Sequence, residues 1–340
     1  MTKFSVVIPV RKFNPYLKEI LKALANQTFK EFETIVILDS LDNEVMHLYP
    51  EVTFLESGAV GPAKKRNIGA NKARGQILAF LDDDAFPAKN WLKNAKSVFD
   101  ETGTYALGGP AMTPPDAGVR EKLSGDILES WLSGGFTTYR HVPRDRRNIN
   151  DYPSVNLFVE KEAFIKVGGF DEAFWPGEDT KLCLDLIKLK KKDFIYDPSI
   201  IVYHHRRDLY LPFLKQISRY GRQRGQFART YPATSRIPAY FVPSFVILVG
   251  IIGAILCIFS FPFRFVMLFL IMLYFWFVTY ETTKIAYKEI KHGPFVFFIA
   301  FWGFVLIHAT YGFNFILGLL KRPKLELRSV DDASGKYLGG

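Results

Sequence analysis

Three long apolar blocks in the second half of the chain constrain its fold more than any other feature. They cover residues 241–261, 263–280 and 295–320 of the 340-residue sequence. Each block is close to the ~20 residues that a helix needs to cross the hydrocarbon core of a bilayer. A buried core helix normally keeps a polar face, whereas these blocks are apolar around the whole circumference and need lipid around them. The sequence therefore predicts a membrane protein with about three apolar segments behind a water-soluble head.

The formal net charge is +10, and much of the excess lies just before the first apolar block. The basic side chains of that stretch are Arg206, Arg207, Lys215, Arg219, Arg222, Arg224, Arg229 and Arg236. Such a cluster fits an anionic leaflet or an anionic lipid-linked substrate, so membrane lipids are expected partners. Nucleic acid is not, because no nucleic-acid recognition motif accompanies the charge. Lys and Arg beside spans tend to stay inside, which predicts a multi-pass protein of the plasma membrane with a cytoplasmic head.

The two cysteines agree with that location. Cys183 lies in the head and Cys257 in an apolar block, which argues against a structural disulfide and indicates a reducing compartment. Residues 4–10 are too short for a secretory signal and are predicted as the first strand.

The head begins with apolar runs that alternate with amphipathic ones. Strands are predicted at 4–10, 34–38 and 76–81, and helices at 16–26 and 63–73. This alternation predicts an α/β fold with a mostly parallel sheet. In such sheets ligands bind beyond the carboxyl ends of the strands, where Asp39 and the run Asp82 to Asp84 both fall.

The remainder of the chain is divided by composition. The segment 116–150 is polar and is predicted to be a mobile substrate-covering segment, whereas 177–190 is predicted to be a helix. The predicted organisation is a head at 1–212, a basic interfacial helix or linker at 213–238, a transmembrane region at 239–322 and a tail at 323–340.

The run Asp82-Asp83-Asp84 is the sharpest chemical signal. Three adjacent carboxylates repel one another, and a bound cation offers a reason to hold them together at a strand end. Hard oxygen ligands suit Mg²⁺ or Mn²⁺, either of which can also bridge two phosphates. The alternative is a solvated acidic turn.

Several motifs occur in an order that resembles a known family. They are the strand Ser5 to Val10, Asp39, the run Arg66 to Gly69, the acidic triplet, Asn156, the run Val167 to Glu172, and Gly177-Glu178-Asp179. Over roughly residues 2–208 the chain resembles family 2 glycosyltransferases with the GT-A fold. The resemblance implies a metal-dependent transferase that uses a nucleotide-diphosphate sugar.

That resemblance also implies a role for each matching residue. Asp39 would hold the nucleobase or ribose, Arg66 would face the nucleotide, and Asp82 and Asp84 would be the outer members of a DxD motif that contacts nucleotide and metal. Pro9, Asp83 and Asn156 are expected on the donor side of the site. Asp179 resembles the catalytic base, and Glu178 its supporting neighbour.

The chemistry itself calls for such groups. Cleavage of a sugar–phosphate bond develops negative charge on the diphosphate, which a cation can offset. The attacking hydroxyl must lose a proton, so a carboxylate should act as base. Asp179 follows Trp175, whose ring is expected to form a platform for the acceptor sugar. A helix-start carboxylate that favours the helix dipole is the alternative explanation for Asp179.

Two elements remain open. The resemblance suggests a metal-binding histidine near residue 204, with His205 preferred over His204, although a surface histidine pair is equally consistent. The run Gln216 to Tyr220 is similar to the Gln-x-x-Arg-Trp motif of processive synthases, with Tyr in place of Trp. Arg219 would then contact the diphosphate, although a basic interfacial helix needs no such role.

Four functions are compatible with these features. The preferred one is inverting transfer of a sugar to a hydroxyl of a lipid-linked polyprenyl glycan during assembly of a cell-surface polysaccharide or glycoprotein glycan. The alternatives are a processive polysaccharide synthase, a polyprenyl-phosphate glycosyltransferase and a non-catalytic nucleotide-binding membrane protein. Three apolar segments are few for an extruding channel, and an apparent base favours a hydroxyl acceptor over an ionised phosphate.

The membrane topology is contradictory at this level. Lys284, Lys288 and Lys291 place the loop after the second block inside, and Lys321 and Arg322 place the tail inside as well. Both cannot be inside if one full crossing separates them. Either the last block is re-entrant or interfacial, or the charge rule fails here.

Overall fold

The computed structural model describes residues 2–41, 43–174, 176–321, 329–330 and 337–338. The described strands are β1 (Phe4–Pro9), β2 (Phe32–Leu38), β3 (Val52–Glu56), β4 (Ile77–Leu81), β5 (Ala85–Pro87), β6 (Ala106–Gly108), β7 (Ala111–Met112), β8 (Arg147–Ile149), β9 (Asn156–Glu160), β10 (Phe194–Tyr196), β11 (Val202–His204), β12 (Ser329–Val330) and β13 (Tyr337–Leu338).

The helices alternate with these strands in the first two-thirds of the chain and dominate the last third. They are α1 (Pro15–Ala25), α2 (Asn43–Leu48), α3 (Pro62–Lys72), α4 (Trp91–Thr102), α5 (Val119–Glu129), α6 (Trp131–Gly134), α7 (Lys161–Lys166), α8 (Glu178–Lys190), α9 (Leu211–Thr230), α10 (Pro232–Ser235), α11 (Pro238–Phe259), α12 (Phe261–Lys288) and α13 (Phe295–Leu320). Short 3₁₀ helices cover Gly135–Arg140 and Ile290–His292.

The main sheet has eight strands in the order β3-β2-β1-β4-β9-β6-β10-β8. The pairs β1–β2, β1–β4, β2–β3 and β6–β10 are parallel, whereas β9 runs antiparallel to both β4 and β6. The prediction of an α/β fold with a mostly parallel sheet is therefore confirmed. Helix α2 and strand β3 were not predicted from the sequence pattern.

Apolar burial explains why the first strands form the centre of this sheet. All six residues of β1 and all five of β4 are buried. Strands that are covered on both faces read as continuous apolar runs, and both sequences have that character. Helix α3 packs closely over β1 and β2, because a Cβ at Gly69 would lie 2.6 Å from Val7 and 2.7 Å from Ile37.

A second, three-stranded sheet with the order β5-β11-β7 lies just beyond β4 in sequence. Strand β11 pairs antiparallel with β5, and this register places His204 opposite Ala85, the first residue of β5. Because Ala85 directly follows the acidic triplet, this register sets which histidine lies beside the triplet.

The chain forms two compact units. The first contains residues 1–112 and 143–204, and the second contains residues 113–142 and 205–323. The segment predicted to be mobile, 116–150, instead contains α5 and α6. Leu123 and Ile127 of α5 are buried in the apolar core of the second unit, together with Phe304 of α13.

Among the described residues, three helices are long and apolar enough to cross a membrane: α11, α12 and α13. They correspond to the three apolar blocks, with α12 continuing to Lys288. The domain limits predicted from the sequence remain predictions. Most of the predicted tail, 323–340, lies outside the described residues.

Candidate active site

Two consecutive cationic residues of α3 organise the acidic groups of the first unit. Lys65 is buried, and its ammonium group donates to Val10 O at the end of β1 and pairs with Asp39 beyond the end of β2. The Asp39 carboxylate is 32% exposed, so it is held from one side and remains open on the other.

Arg66 points to a different pair of carboxylates. Its Nη2 lies 2.6 Å from Asp82 Oδ1, and its Nη1 lies 3.0 Å from Glu178 Oε1. The guanidinium carbon lies 5.3 Å from the centre of the Phe170 ring. One side chain therefore joins the end of β4 to the start of α8.

Arg66 is fully charged in this setting. Burial alone would lower its pKa, but the charges of Asp82 and Glu178, and further that of Asp179, raise the pKa above its ordinary value. Its Nε is buried and finds no hydrogen-bond partner among the described residues. Desolvation of a guanidinium is costly unless carboxylates surround it, so this network depends on all of its members.

Glu178 and Asp179 begin α8 and differ in exposure. Glu178 is buried, and its Oε2 accepts a hydrogen bond of 3.0 Å from Gly177 N in addition to the Arg66 contact. Asp179 is partly exposed, and its Oδ1 accepts from Thr180 N at 2.7 Å. Of the two, Asp179 is therefore the more exposed carboxylate, and Glu178 holds Arg66.

The Gly-Gly-Phe turn before α8 is fastened to α3. Asn67 Nδ2 donates to Phe170 O at 2.8 Å, and Phe170 N donates to Asn67 Oδ1 at 2.9 Å. Gly168 and Gly169 both have positive φ, at 81° and 76°. A side chain at Gly169 would also place its Cβ 2.6 Å from Asn67 Oδ1. The motif therefore fixes Phe170 beneath Arg66.

Asp84, the third carboxylate of the triplet, lies beside a histidine. His204 Nε2 is 3.1 Å from Asp84 Oδ1, and both side chains are mostly buried. His205, the residue preferred from the sequence, belongs to the second unit, where its Nδ1 lies 3.1 Å from Glu121 Oε1. The placement of His204 follows from its pairing with Ala85 across the small sheet.

The donor set around Asp84 fits a divalent cation bound in an open manner. Mg²⁺ is usually held by one or two carboxylates plus substrate phosphates, and Mn²⁺ also accepts imidazole nitrogen. Asp84 and His204 supply two converging donors, while Asp82 is engaged by Arg66. No group of three His, Cys, Asp or Glu side chains able to hold a metal occurs among the described residues. The remaining ligands would have to come from the diphosphate.

Two other residues predicted on the sugar-donor side of the site are buried within the fold. Pro9 is the buried last residue of β1. Asn156 is fully buried: its Oδ1 accepts from Trp91 Nε1 at 2.8 Å, and its Nδ2 donates to Gly109 O at 2.6 Å and Ile200 O at 2.7 Å. Both polar atoms of Asn156 are used within the protein, so we expect it to support the fold of the site rather than to bind the donor.

Arg219 lies on an exposed position of α9 in the second unit. Within the same motif, Gln216 Nε2 donates to Tyr220 OH at 3.1 Å. The roles predicted for Arg219, Asp83 and the other site residues remain predictions. Trp175, the expected platform, lies outside the described residues.

Sequence reasoning missed Lys65 as a member of this site, named Asn67 only within the run Arg66 to Gly69, and ranked His204 behind His205. Lys65 carried one usable signal, since a lysine on an otherwise apolar helix face next to a predicted sheet needs an acidic partner. The contacts of Asn67 and His204 could not be predicted, because they depend on a turn and on a strand register that are distant in sequence.

Comparison with known proteins gives a consistent result. A family profile described as "Glycosyl transferase family 2" matches residues 5–174. The pre-mycofactocin glycosyltransferase of Mycobacterium tuberculosis is 27% identical over 242 residues, which cover 67% of this chain and 48% of that protein. The chain thus spans about half the length of this relative. The glucosyl-dolichyl phosphate glucuronosyltransferase of Haloferax volcanii is 22% identical over 223 residues, covering 59% of this chain and 69% of that protein.

Among solved structures, the mannosyltransferase PcManGT from Pyrobaculum calidifontis, in complex with GDP-Man and Mn²⁺, superposes with a TM-score of 0.57. It is 14% identical, and the match covers 92% of this chain and 87% of that one. At this identity the likeness shows the fold alone.

Proposed function

The chain belongs to glycosyl transferase family 2, and from that membership we propose that it is an inverting, metal-dependent transferase. It moves a sugar from a nucleotide-diphosphate sugar to a hydroxyl of a lipid-linked polyprenyl glycan. The proposed setting is the cytoplasmic face of the plasma membrane, in the assembly of a cell-surface polysaccharide or glycoprotein glycan.

One observation carries the proposal: Lys65 and Arg66, adjacent on α3, join acidic groups from separate parts of the first unit. Lys65 pairs with Asp39, while Arg66 pairs with Asp82 and Glu178. A protein that only needed a stable sheet would not bury two neighbouring cations, because each loses its hydration. The arrangement instead presents partly exposed carboxylates at fixed positions, which a donor site requires.

The reaction assigns a different task to each partly exposed carboxylate. The acceptor hydroxyl attacks the anomeric carbon, the bond from that carbon to the diphosphate oxygen breaks, and the nucleoside diphosphate leaves with the bonding electrons. Asp179 takes the hydroxyl proton as general base. Asp39 holds the nucleoside, and Asp82, fixed by Arg66, orients the donor. A single displacement of this kind inverts the anomeric configuration.

Asp84 and His204 would hold the cation, Mg²⁺ or Mn²⁺. When bound, the cation offsets the charge that develops on the leaving diphosphate. The similar mannosyltransferase structure is a complex with GDP-Man and Mn²⁺, which agrees with this choice.

A polyprenyl-phosphate acceptor is the second candidate. The basic helix α9 suits any anionic lipid, and a polyprenyl phosphate is one. A phosphate acceptor is already ionised and needs no base. The role of Asp179 therefore separates the two candidates.

The test uses the full-length protein in lipid nanodiscs. A panel of nucleotide sugars is offered with two acceptors, a polyprenyl-diphosphate-linked sugar and a polyprenyl phosphate, and the product and its anomeric configuration are read by mass spectrometry and NMR. We expect transfer to the sugar hydroxyl with inversion. EDTA should abolish transfer, and Mg²⁺ or Mn²⁺ should restore it.

The variant Asp179→Asn should lower transfer to the hydroxyl acceptor by about 10²- to 10⁴-fold, the usual contribution of a general base. Asp185→Asn, in the next turns of α8, is the matched control and should keep nearly full rate. Retention of configuration, full activity in chelator, or an unchanged rate for Asp179→Asn on the hydroxyl acceptor would each contradict the proposal.

A further inference from the structure

The second unit contains an antiparallel helical hairpin. Helices α11 and α12 join at Ser260, and Gly253 and Met267, each seven residues from Ser260, meet closely. The start of α11 and the end of α12 therefore lie at one end of the hairpin, which is called its base here. The turn at Ser260 is its tip.

Among the described residues, nothing in the second unit covers the outer part of the hairpin. Large apolar side chains there are widely exposed, including Phe259 at 80%, Phe265 at 61% and Phe269 at 59%. The 22 residues of α11 correspond to about 33 Å of helix, enough to cross the ~30 Å hydrocarbon core. Both hairpin helices thus have the length and the surface of membrane spans.

Helix α13 lies side by side with α9 over its whole length. Near the beginnings of the two helices, Tyr210 OH donates to Ile299 O at 2.9 Å. Near their ends, Arg229 Nη1 donates to Leu319 O at 3.3 Å. The two helices are therefore parallel neighbours.

Their contact is close because glycines line it. A Cβ at Gly221 would lie 2.6 Å from Tyr311 O, and Gly225 and Gly318 likewise face backbone atoms of the other helix. These two helices form one packed pair.

Helix α9 cannot lie within hydrocarbon. Its buried stripe, with Phe213, Ile217 and Gly221 at successive turns, faces the unit's core. Three exposed cations lie on the other side of the helix: Lys215, Arg219 and Arg222. A charged side chain at the centre of a bilayer is costly, so a stripe of cations indicates that this side of the helix faces headgroups or water.

Both ends of α13 also lie at the base of the hairpin. Its start follows the end of α12 through the short 3₁₀ helix Ile290–His292. Its end lies beside Arg229, which α10 connects to the start of α11. Midway, His308 Nδ1 lies 3.0 Å from Tyr274 OH, about 21 Å of helix from the tip. A continuous helix with both ends at the base and its midpoint this far from the tip lies across the hairpin and not along it.

We propose that only α11 and α12 cross the bilayer, and that α13 lies in the membrane interface beside α9, whose basic stripe faces anionic headgroups. Amphipathic helices rich in Lys and Arg bind membrane surfaces in this way. Residue 321 then lies on the same side as the base of the hairpin, and the clusters around Lys288 and Lys321 are both inside. The conflict in the charge pattern disappears.

The experiment maps the side of single cysteines in the full-length chain. The background carries Cys257→Ser and keeps Cys183, which is fully buried. The added cysteines are Phe261→Cys at the tip, Lys291→Cys at the base, Lys321→Cys after α13 and Lys93→Cys on exposed α4. Intact cells are treated with a membrane-impermeant maleimide, before and after permeabilisation, and labelling is read as a gel shift.

We expect Phe261→Cys to be labelled in intact cells, and the other three only after permeabilisation. Labelling of Lys321→Cys together with Phe261→Cys would show that α13 crosses, and would overturn the proposal. So would a Phe261→Cys protein that is never labelled from outside, because the hairpin would then not reach the far face. Cysteine labelling does not require transferase activity, so a failed transferase assay would not affect this test of the topology.

Discussion

At the scale of single residues, Arg66 is the side chain on which the site depends most. It is 5% exposed, and it is the common partner of Asp82 and Glu178. Carboxylates from β4 and from α8 would repel each other without it. Its guanidinium fork reaches both because its two terminal nitrogens diverge, which an ammonium group cannot reproduce.

Arg66→Lys should therefore keep the charge but lose the geometry. We expect kcat to fall on the order of 100-fold, since small misplacements of catalytic groups have effects of that size. Initial rates at saturating donor test this. Arg74→Lys is the control, because Arg74 forms a comparable pair with Glu33 but is 75% exposed, and it should leave kcat almost unchanged. Equal rates for both variants would contradict the role of Arg66.

The two neighbouring histidines give a second residue-scale prediction. His204→Gln should raise the Mn²⁺ concentration needed for half-maximal activity by about 10- to 100-fold, the usual effect of weakening a metal site. His205→Gln should not, because His205 contacts Glu121 in the second unit. Metal titrations of both variants decide the matter. A large effect of His205→Gln with none for His204→Gln would restore the choice made from the sequence.

At the scale of elements, the turn between α7 and α8 is fixed to α3, and it leads into the helix that begins with Glu178 and Asp179. Asn67 holds both backbone groups of Phe170, and this contact needs Gly169 to approach the amide closely. Gly168 also has positive φ, but a Cβ there would meet nothing within 4 Å. A substitution at Gly168 therefore tests backbone strain alone, whereas a substitution at Gly169 tests backbone strain together with the steric contact.

Gly168→Ala should destabilise the fold by about 1 kcal/mol, from the left-handed backbone alone. Gly169→Ala should cost more, roughly 2–3 kcal/mol, because it adds the clash with Asn67. Thermal unfolding of the full-length protein in one detergent compares them. If the two variants unfold at the same temperature, Asn67 does not restrain this turn.

At the scale of the whole molecule, α5 forms a junction within the second unit. Asp126 Oδ1 lies 2.5 Å from Lys288 Nζ, while its Oδ2 is buried and finds no partner among the described residues. Burial raises the pKa of Asp126 to about 6, although the hydrogen bond and charge of Lys288 act in the opposite direction.

The raised pKa of Asp126 determines the direction in which the stability of the fold changes with pH. Between about pH 4 and pH 6 the folded state binds the Asp126 proton more tightly than the unfolded state, so this group's contribution to the free energy of unfolding declines as pH rises. The melting temperature of the wild type minus that of Asp126→Asn should therefore fall across this window and stay level above it. Differential scanning calorimetry at several pH values measures it. A difference that rises with pH would show that the Lys288 charge dominates.

The amino-acid sequence alone determined the fold class, the apolar helices and the positions of the acidic groups. These follow from local patterns: buried parallel strands are continuous apolar runs, and the strand ends of such a sheet share one edge. Asp39 and the acidic triplet could be located for that reason, and α8 could be located from its helical pattern.

Only the tertiary structure decided which side chains meet. Adjacent residues in a helix point about 100° apart, so Lys65 and Arg66 serve different carboxylates, and strand register rather than composition brought His204 to Asp84. Hydropathy showed that α13 needs an apolar environment but not its direction. The orientation of α13 relative to the bilayer follows from α9, because a helix that packs along a partner with a charged side lies in the same plane of the membrane surface as that partner.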